Sequence, residues 1–405
     1  MVTRTDILVA GAGAAGLTAG IALARAGFSV AIRGNLETRR NGRTVALFAA
    51  SLQLYRSLGL WDRLAPLATP IETISIVDDT GSLLPTPALD LHAEEIGLEA
   101  FGANIENASL VTALAAIARE TPGVSLREGL IGDYFFGRTG AGARGENGEA
   151  IEAQLIIGAD GRSSPLRAVA GISFREWSYP QVALTALLAH RRTHWRTSTE
   201  FHTRQGPCTL VPLPAEGANR HRSSLVWLMS AAEAARRMAL DDAQLAAEIE
   251  AQTHRLHGAM TLEGPRGAFP IAGLKCDRLT APRVALIADA GHYFPPIGAQ
   301  GLNLGLRDVA QLVESIGAHG RADAGAERAL REYDGARRLD VATRAFGVDI
   351  LNRSLLWDFP PVDFARGAGI LAMSAIGPLR RALLREGVAP PFRLPPLMRA
   401  SATER

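Results

Sequence analysis

The feature that most constrains this chain is Gly11-Ala12-Gly13-Ala14-Ala15-Gly16, set between an apolar run and a helical one. Residues 6–10, Asp-Ile-Leu-Val-Ala, read as a buried strand. Residues 17–26 carry apolar side chains at helical spacing and end at Gly27, a stop signal, and 28–32 read as a second strand. Parallel strands joined by a helix imply a sheet covered on both faces. Gly11 permits the tight turn, Gly13 lets backbone approach a pyrophosphate, and Gly16 lets helix and strand pack closely. The helix start, with Ala14 and Ala15 in its first turn, offers free N–H groups and a positive dipole end to phosphates. The motif is weak in isolation; its place between strand and helix makes it a nucleotide site.

Such units usually carry an acid at the end of the second strand to bond the ribose. Here Val30-Ala31-Ile32 runs into Arg33-Gly34-Asn35, and the nearest acid is Glu37. Glu37, Asn35 and Arg33 all stay open as adenosine contacts, and Arg33 would also suit the 2′-phosphate of an NADP-type nucleotide.

The chain has 405 residues, 47% of them apolar, enough for two domains or for one with a large insertion. Its formal charge of +2 gives no reason to expect nucleic acid, and the basic residues are arginines except for Lys275. Cys208 and Cys276 form neither a metal-ligand nor a redox spacing and read as free thiols. The opening Met1-Val2-Thr3-Arg4-Thr5 leads straight into a strand without a secretory signal, and no run approaches the roughly 18 apolar residues of a membrane span. The expectation is a soluble cytoplasmic protein, or one attached only to a membrane surface.

Along the chain, 52–64 read as an amphipathic helix, 71–91 as short alternating strands, 109–119 as a helix and 152–157 as a buried strand. The stretch 181–270 is β-rich, with strands at 183–189, 199–202 and 224–229 and a helix at 240–254. A buried strand at 283–287 and a helix at 302–316 follow, then a helical remainder with a Pro-rich tail. The Gly-rich, polar stretch 137–149 reads as an exposed hairpin loop. Because the β-rich stretches interrupt a nucleotide-binding frame that resumes after each, the expectation is one composite domain with a second sheet covering a pocket.

Two further motifs lie in that frame. In Ile156-Ile157-Gly158-Ala159-Asp160-Gly161-Arg162-Ser163-Ser164-Pro165-Leu166-Arg167 a strand ends in Asp-Gly and a helix begins near a serine. Asp160 there is either a cap for backbone donors or a ligand residue. The third motif runs from Ala285 to Asn303 and places Asp289 at the carboxyl end of a strand, where ligands sit in open α/β sheets. Its Pro295-Pro296 turn and Gly-rich loop lead into a helix near Leu302, bringing bare N–H groups to a planar, electron-rich ligand edge. His292 is open to two readings, a packed or hydrogen-bonded residue and a general base.

In this order and at these separations the three motifs resemble those of the class A flavoprotein aromatic hydroxylases, and within them the ubiquinone-biosynthesis hydroxylases. The narrower resemblance rests on Arg43-Thr44-Val45-Ala46-Leu47 leading to Leu58-Gly59-Leu60-Trp61, and on Phe201 with Gly206-Pro207 and Pro212-Leu213. Ser224-Leu225-Val226-Trp227 and Asp349-Ile350-Leu351-Asn352-Arg353-Ser354-Leu355-Leu356 extend it. It implies an α/β fold: a Rossmann-like, three-layer FAD-binding domain at 1–75, 100–180 and 271–330. A β-rich substrate domain at 76–99 and 181–270 would be inserted into it, with a helical C-terminal region at 331–405.

The resemblance also implies FAD as cofactor, NADH or NADPH as co-substrate, and O2 carried to a polyprenylated phenol through a C4a-hydroperoxyflavin. Gly11, Gly13 and Gly16 match the pyrophosphate turn, and Arg43 an arginine reaching the ADP part of FAD. Asp160 and Gly161 match a motif serving both FAD and NAD(P)H, and Asp289 the acid on the ribitol. Gly301, Leu302 and Asn303 match the backbone at the isoalloxazine pyrimidine edge, and Pro296 a residue packed at the flavin that shapes oxygen transfer. No side chain stands out as an obligate base. Three departures leave the ADP half less anchored or the loop altered: Gly34 for the usual acid, Asn107-Ala108-Ser109 without the usual arginine, and Ala288 for a glycine.

A prenylated substrate raises the question of membrane or biosynthetic-complex contact. The mostly apolar residues 364–379 read either as an amphipathic surface helix or as a core-packing one. Other readings of the chain remain: a hydroxylase of another small aromatic compound, a simple dehydrogenase, which explains the first motif only, and a non-catalytic FAD-binding assembly partner. A flavin halogenase would need a lysine by a Trp-x-Trp-x-Ile-Pro segment that this chain lacks.

Overall fold

The computed structural model describes residues 2–81, 87–137, 140–146, 148–216, 220–319, 322–356, 369, 372–388 and 394–399. Its frame is a parallel sheet in the order Val284–Leu286, Ala150–Gly158, Val2–Ala10, Val30–Arg33 and Val124–Arg127. The central strands are apolar on both faces because both faces are covered: Ile7, Leu8, Val9, Leu155, Ile156 and Ile157 are wholly buried. Helices Ala14–Arg25, Asn107–Glu120 and Gln300–Ala318 pack together in this core.

The stretch expected as an exposed loop at 137–149 is mostly sheet. Ala141–Gly145 is a largely buried strand between Ile131–Phe136 and the first half of Ala150–Gly158. Gly142 is there for packing: a Cβ on it would lie 2.2 Å from the Phe135 ring. Likewise 52–64 is two short helices, Ala49–Ser57 and Trp61–Leu64, separated at Gly59 with φ +56°.

A second sheet has eight strands, ordered His292–Tyr293, Met260–Cys276, Phe174–His190, His221–Ser230, Gly206–Leu213, Thr197–Thr203, Thr73–Asp78 and Leu89–His92. Helices Ala231–Met238 and Asp242–Gln252 cover one face through Ala234, Leu245 and Ile249. Ala183, Leu228 and Ile271 on the other face meet Phe294, Leu304, Val341 and Ala345. That face therefore looks toward the third motif.

A three-stranded sheet, Thr44–Phe48, Gly102–Glu106 and Ala68–Ile71, joins the two. Its contacts to the second sheet are polar and buried. The Arg222 guanidinium donates to Glu106 at 2.8 Å and to Glu263 at 2.6 Å, and Thr44 Oγ1 lies 2.8 Å from Ser224 Oγ. Asn104 Nδ2 donates to the Pro212 carbonyl at 3.0 Å.

Both cysteines are free and buried. Helices Glu327–Leu356 and Gly377–Val388 form the C-terminal region. Of the segment 364–379, residues 364–368, 370 and 371 lie outside the described residues. Beyond it, Leu384 and Val388 pack on Leu89, Leu91 and Phe101, while Ile376, Leu379 and Leu383 are exposed. Among the described residues no helix is long and apolar enough to cross a membrane.

Candidate functional site

All three motifs leave the frame side by side. Ala10 pairs with Gly158 and Gly158 with Leu286, so Gly11, Ala159 and Ile287 begin three adjacent loops at the carboxyl ends of parallel strands. The glycines divide into two kinds. A Cβ on Gly11, at φ +118°, would lie 2.1 Å from the Ala159 carbonyl oxygen, and one on Gly16 would lie 2.1 Å from that of Gly11. These two pack the loops against each other. A Cβ on Gly13, Gly161 or Gly301 would meet no atom within 4 Å, so these three present bare backbone to open space. Gly13 is also the N-cap of Ala14–Arg25, and with no side-chain cap there its N-terminal donors stay available.

Asp160 acts as a cap: its Oδ2 accepts from the Leu166 N–H at 3.1 Å, and Ser164 caps the short helix Pro165–Val169. Its Oδ1 is buried without a partner, and burial raises the pKa of the carboxyl. Arg167, also buried, ties this loop to the third motif by donating to the Ala290 carbonyl at 2.9 Å and to that of Arg162 at 2.7 Å.

Asp289 sits at the turn after Val284–Leu286 and makes no hydrogen bond or ion pair with the described residues. Burial raises its pKa, opposed by His292 and then Arg43. A carboxylate in such a place is ready for hydroxyl donors from a ligand. The preceding Ala288 adopts φ +52°, the left-handed region that favours glycine, and Gly305 makes room for it: a Cβ there would lie 2.6 Å from the Ala288 Cβ. The Ala288 N–H donates to Asp308 Oδ2 at 2.8 Å.

His292 is buried, with Nε2 2.6 Å from the same Asp308 oxygen and its ring against Phe294. It is a packed, hydrogen-bonded residue. Burial works against ionisation of Asp308, but His292 and Arg337 outweigh it and hold the carboxyl below its ordinary range.

After buried Pro295 and exposed Pro296 the backbone turns through Gly298 (φ +62°) and Ala299 (φ +51°) into the helix Gln300–Ala318, two residues earlier than the sequence suggested. By helix geometry the N–H groups of Gln300, Gly301 and Leu302 precede the first intrahelical bond. The side chain of Asn303 holds the turn. Its Oδ1 accepts from Phe48 N (2.8 Å) and Ser51 Oγ (2.7 Å), and its Nδ2 donates to Ala46 O (2.8 Å) and Ala299 O (2.6 Å).

A family model described as FAD binding domain matches residues 4–347. The chain is 32% identical over 393 residues to ubiquinone hydroxylase UbiL of Rhodospirillum rubrum, covering 95% of this chain and 89% of that one. It is 29% identical over 392 residues to 3-demethoxyubiquinol 3-hydroxylase of Escherichia coli, covering 94% and 97%. In fold it is similar to p-nitrophenol 4-monooxygenase PnpA of Pseudomonas putida DLL-E4, with a TM-score of 0.77 at 16% identity, covering 95% and 98%. The chain belongs to the FAD binding domain family. It is an FAD-dependent monooxygenase.

For a member of this family the site fits its cofactor in three respects: open backbone at Gly13, an unpaired Asp289 carboxylate, and free helix donors at 300–302. Of the adenosine contacts left open by the sequence, the structure removes Arg33. Arg33 is buried and turned away, bonded to Glu149 at 3.3 Å and to the Leu130 carbonyl, so it offers nothing to a 2′-phosphate. A Cβ on Gly34 would lie 2.5 Å from Ala12 N; the space where a ribose acid would start is taken by the glycine loop. Glu37 is engaged by Asn41 (2.6 Å), Asn107 (3.3 Å) and Arg43 (3.4 Å). Arg43 also lies over the Phe269 ring of the second sheet at 5.6 Å.

Sequence reasoning missed Asp308, Arg337 and Gly305. A charged residue inside an apolar helical run was the available signal for Asp308.

Proposed function

We propose that this flavoprotein hydroxylates the ring of a polyprenylated phenol in ubiquinone biosynthesis, taking electrons from NADH or NADPH and oxygen from O2. The observation that carries the reading is the convergence of three glycine-bearing loops and a helix start at the ends of adjacent parallel strands, beneath the inner face of the second sheet. The names of the two ubiquinone-pathway relatives supply the substrate class.

In this reading Gly11, Gly13, Ala14, Ala15 and Gly16 form the pyrophosphate turn, and Arg43, paired with Glu37, approaches the ADP part. Asp160 and Gly161 flank the chain between pyrophosphate and flavin, and Asp289 accepts from the ribitol hydroxyls. The N–H groups at Gly301 and Leu302 hold the pyrimidine edge, and Asn303 keeps that turn in place through its four side-chain bonds. When bound, the flavin supplies the redox and oxygen-transfer chemistry. The protein orients the phenol, excludes water and stabilises negative charge at the pyrimidine edge. Pro296 shapes the approach of the ring, and no side chain serves as an obligate base. With no acid at the end of Val30–Arg33, FAD is held less tightly at its ADP half; retention through dialysis would count against this.

Quinone profiling of a deletion strain by mass spectrometry tests the assignment. Accumulation of a prenylated intermediate lacking one hydroxyl is expected. A normal quinone pool with phenol-stimulated NAD(P)H oxidation in vitro would redirect it to another aromatic substrate. FAD binding with no such oxidation would mark a non-catalytic partner.

A further inference from the structure

The helices Gln300–Ala318 and Glu327–Leu356 meet across five charged side chains that water barely reaches, none more than 10% exposed. Arg307, Arg337 and Arg344 bring three positive charges; Asp308 and Asp340 bring two negative ones. Asp340 accepts from Arg337 at 2.5 Å, from Arg344 Nε at 3.0 Å and from Arg307 at 3.3 Å. Asp308 accepts from Arg337 Nε at 2.7 Å, besides His292 and the Ala288 N–H. Asp334, nearby on the helix Glu327–Leu356, faces elsewhere, accepting from Leu279 N and pairing with Arg338. Three guanidinium groups against two carboxylates leave one positive charge unmatched among these five side chains. The cations crowd each other: burial, then Arg344, pulls the Arg307 pKa down to about 10.

The excess charge lies against the flavin loop. Arg344 NH1 donates to Gln300 Oε1 at 3.3 Å, and Gln300 Nε2 donates to the Gly298 carbonyl at 3.1 Å. Gln300 is the first residue of the helix whose N–H groups face the ligand space. A helix start offers about half a positive charge to an anion. The poorly solvated cluster behind it adds its unmatched positive charge through Arg344, weakly screened.

We infer that Arg344, acting through Gln300, is a positioning and electrostatic residue that favours the negative charge taken up at the flavin pyrimidine edge on reduction. This rests on the flavin placement given under Proposed function. A buried, unmatched cation costs least when an anion arrives beside it, so the cluster pulls toward the reduced cofactor.

The test is the reduction potential of FAD bound to the full-length protein. R344Q is expected to lower it by about 30 mV, a tenfold weaker pull on a two-electron couple. R344K, which keeps the charge, should stay near the parent value. Should R344Q fail to fold, R307M removes one charge from the same cluster without touching Gln300, and a smaller drop is expected. An unchanged potential in FAD-loaded R344Q or R307M overturns the inference. A parent protein that binds no flavin overturns the Proposed function reading instead.

Discussion

At the scale of single residues the site depends on what two small side chains leave out. Ala288 holds a left-handed backbone with its N–H on Asp308, and Gly305 yields the space its methyl group fills. Gly305→Ala should therefore cost about 1–3 kcal/mol through overpacking. Ala288→Gly alone should be near neutral, because relief of the positive φ offsets about 0.4–1 kcal/mol of added unfolded-state entropy. In the double variant most of the Gly305→Ala loss should return. Urea unfolding of the four proteins measures this, and strictly additive losses would show that the two positions do not share that space. Neither contact could be read from the chain, since the residues are 17 apart and no local period links them.

Secondary-structure elements make the second level, and here the joint between sheets matters most. Arg222 from the second sheet is buried between Glu106 of the three-stranded sheet and Glu263 of its own, so the cofactor frame and its cover are pinned by charge. Replacing it with methionine leaves Glu106 to Arg40 and Glu263 to Arg220, so the change should cost the buried charged hydrogen bonds alone, about 1.5–3 kcal/mol. Calorimetry would check it; a loss under about 1 kcal/mol would mean that water reaches the pair. The elements that were legible are those with a local signal: the strand–glycine–helix start, the Asp-Gly strand end, the buried strand before Asp289. Their side-by-side arrangement follows from the parallel-sheet rule. The three-stranded sheet was not legible, because Thr44–Phe48 finds its partner at Gly102–Glu106 and nothing in either run names the other. Ala141–Gly145 was misread because Ala141 and Ala143 are its only apolar side chains besides glycine, and Phe135 crossing Gly142 supplies further cover that no local pattern shows.

For the molecule as a whole, acid sensitivity should come from the second sheet. His190 and His257 stack at 4.4 Å, both buried, and neither ring nitrogen of His257 has a partner. Burial first, then the neighbouring histidines, lowers their pKa values, to about 4 for His190 and about 3 for His257. In the unfolded chain both would titrate near about 6.5. Between those limits the unfolded state binds protons that the folded state refuses, so stability is full above about pH 6.5 and declines as pH falls toward 4. His257→Phe should flatten that decline in denaturant midpoints measured from pH 7.5 to 4.5; an unaltered slope would place the sensitivity elsewhere. At the surface, Ile376, Leu379 and Leu383 form an exposed apolar line suited to a lipid or partner surface. L379S/L383S should co-sediment several-fold less with liposomes, and equal sedimentation would sink the surface-helix reading of that segment.

The three loops that meet at the cofactor begin at residues 11, 159 and 287 of one chain, on strands that lie next to one another. During synthesis the nucleotide therefore has no complete site to enter until nearly three-quarters of the protein has left the ribosome. Contacts of such long sequence separation close late and slowly. Flavin supply should accordingly rescue full-length variants that fold sluggishly, yet do nothing for chains cut short of Asn303, whose side chain ties the turn to Ala46 and Phe48.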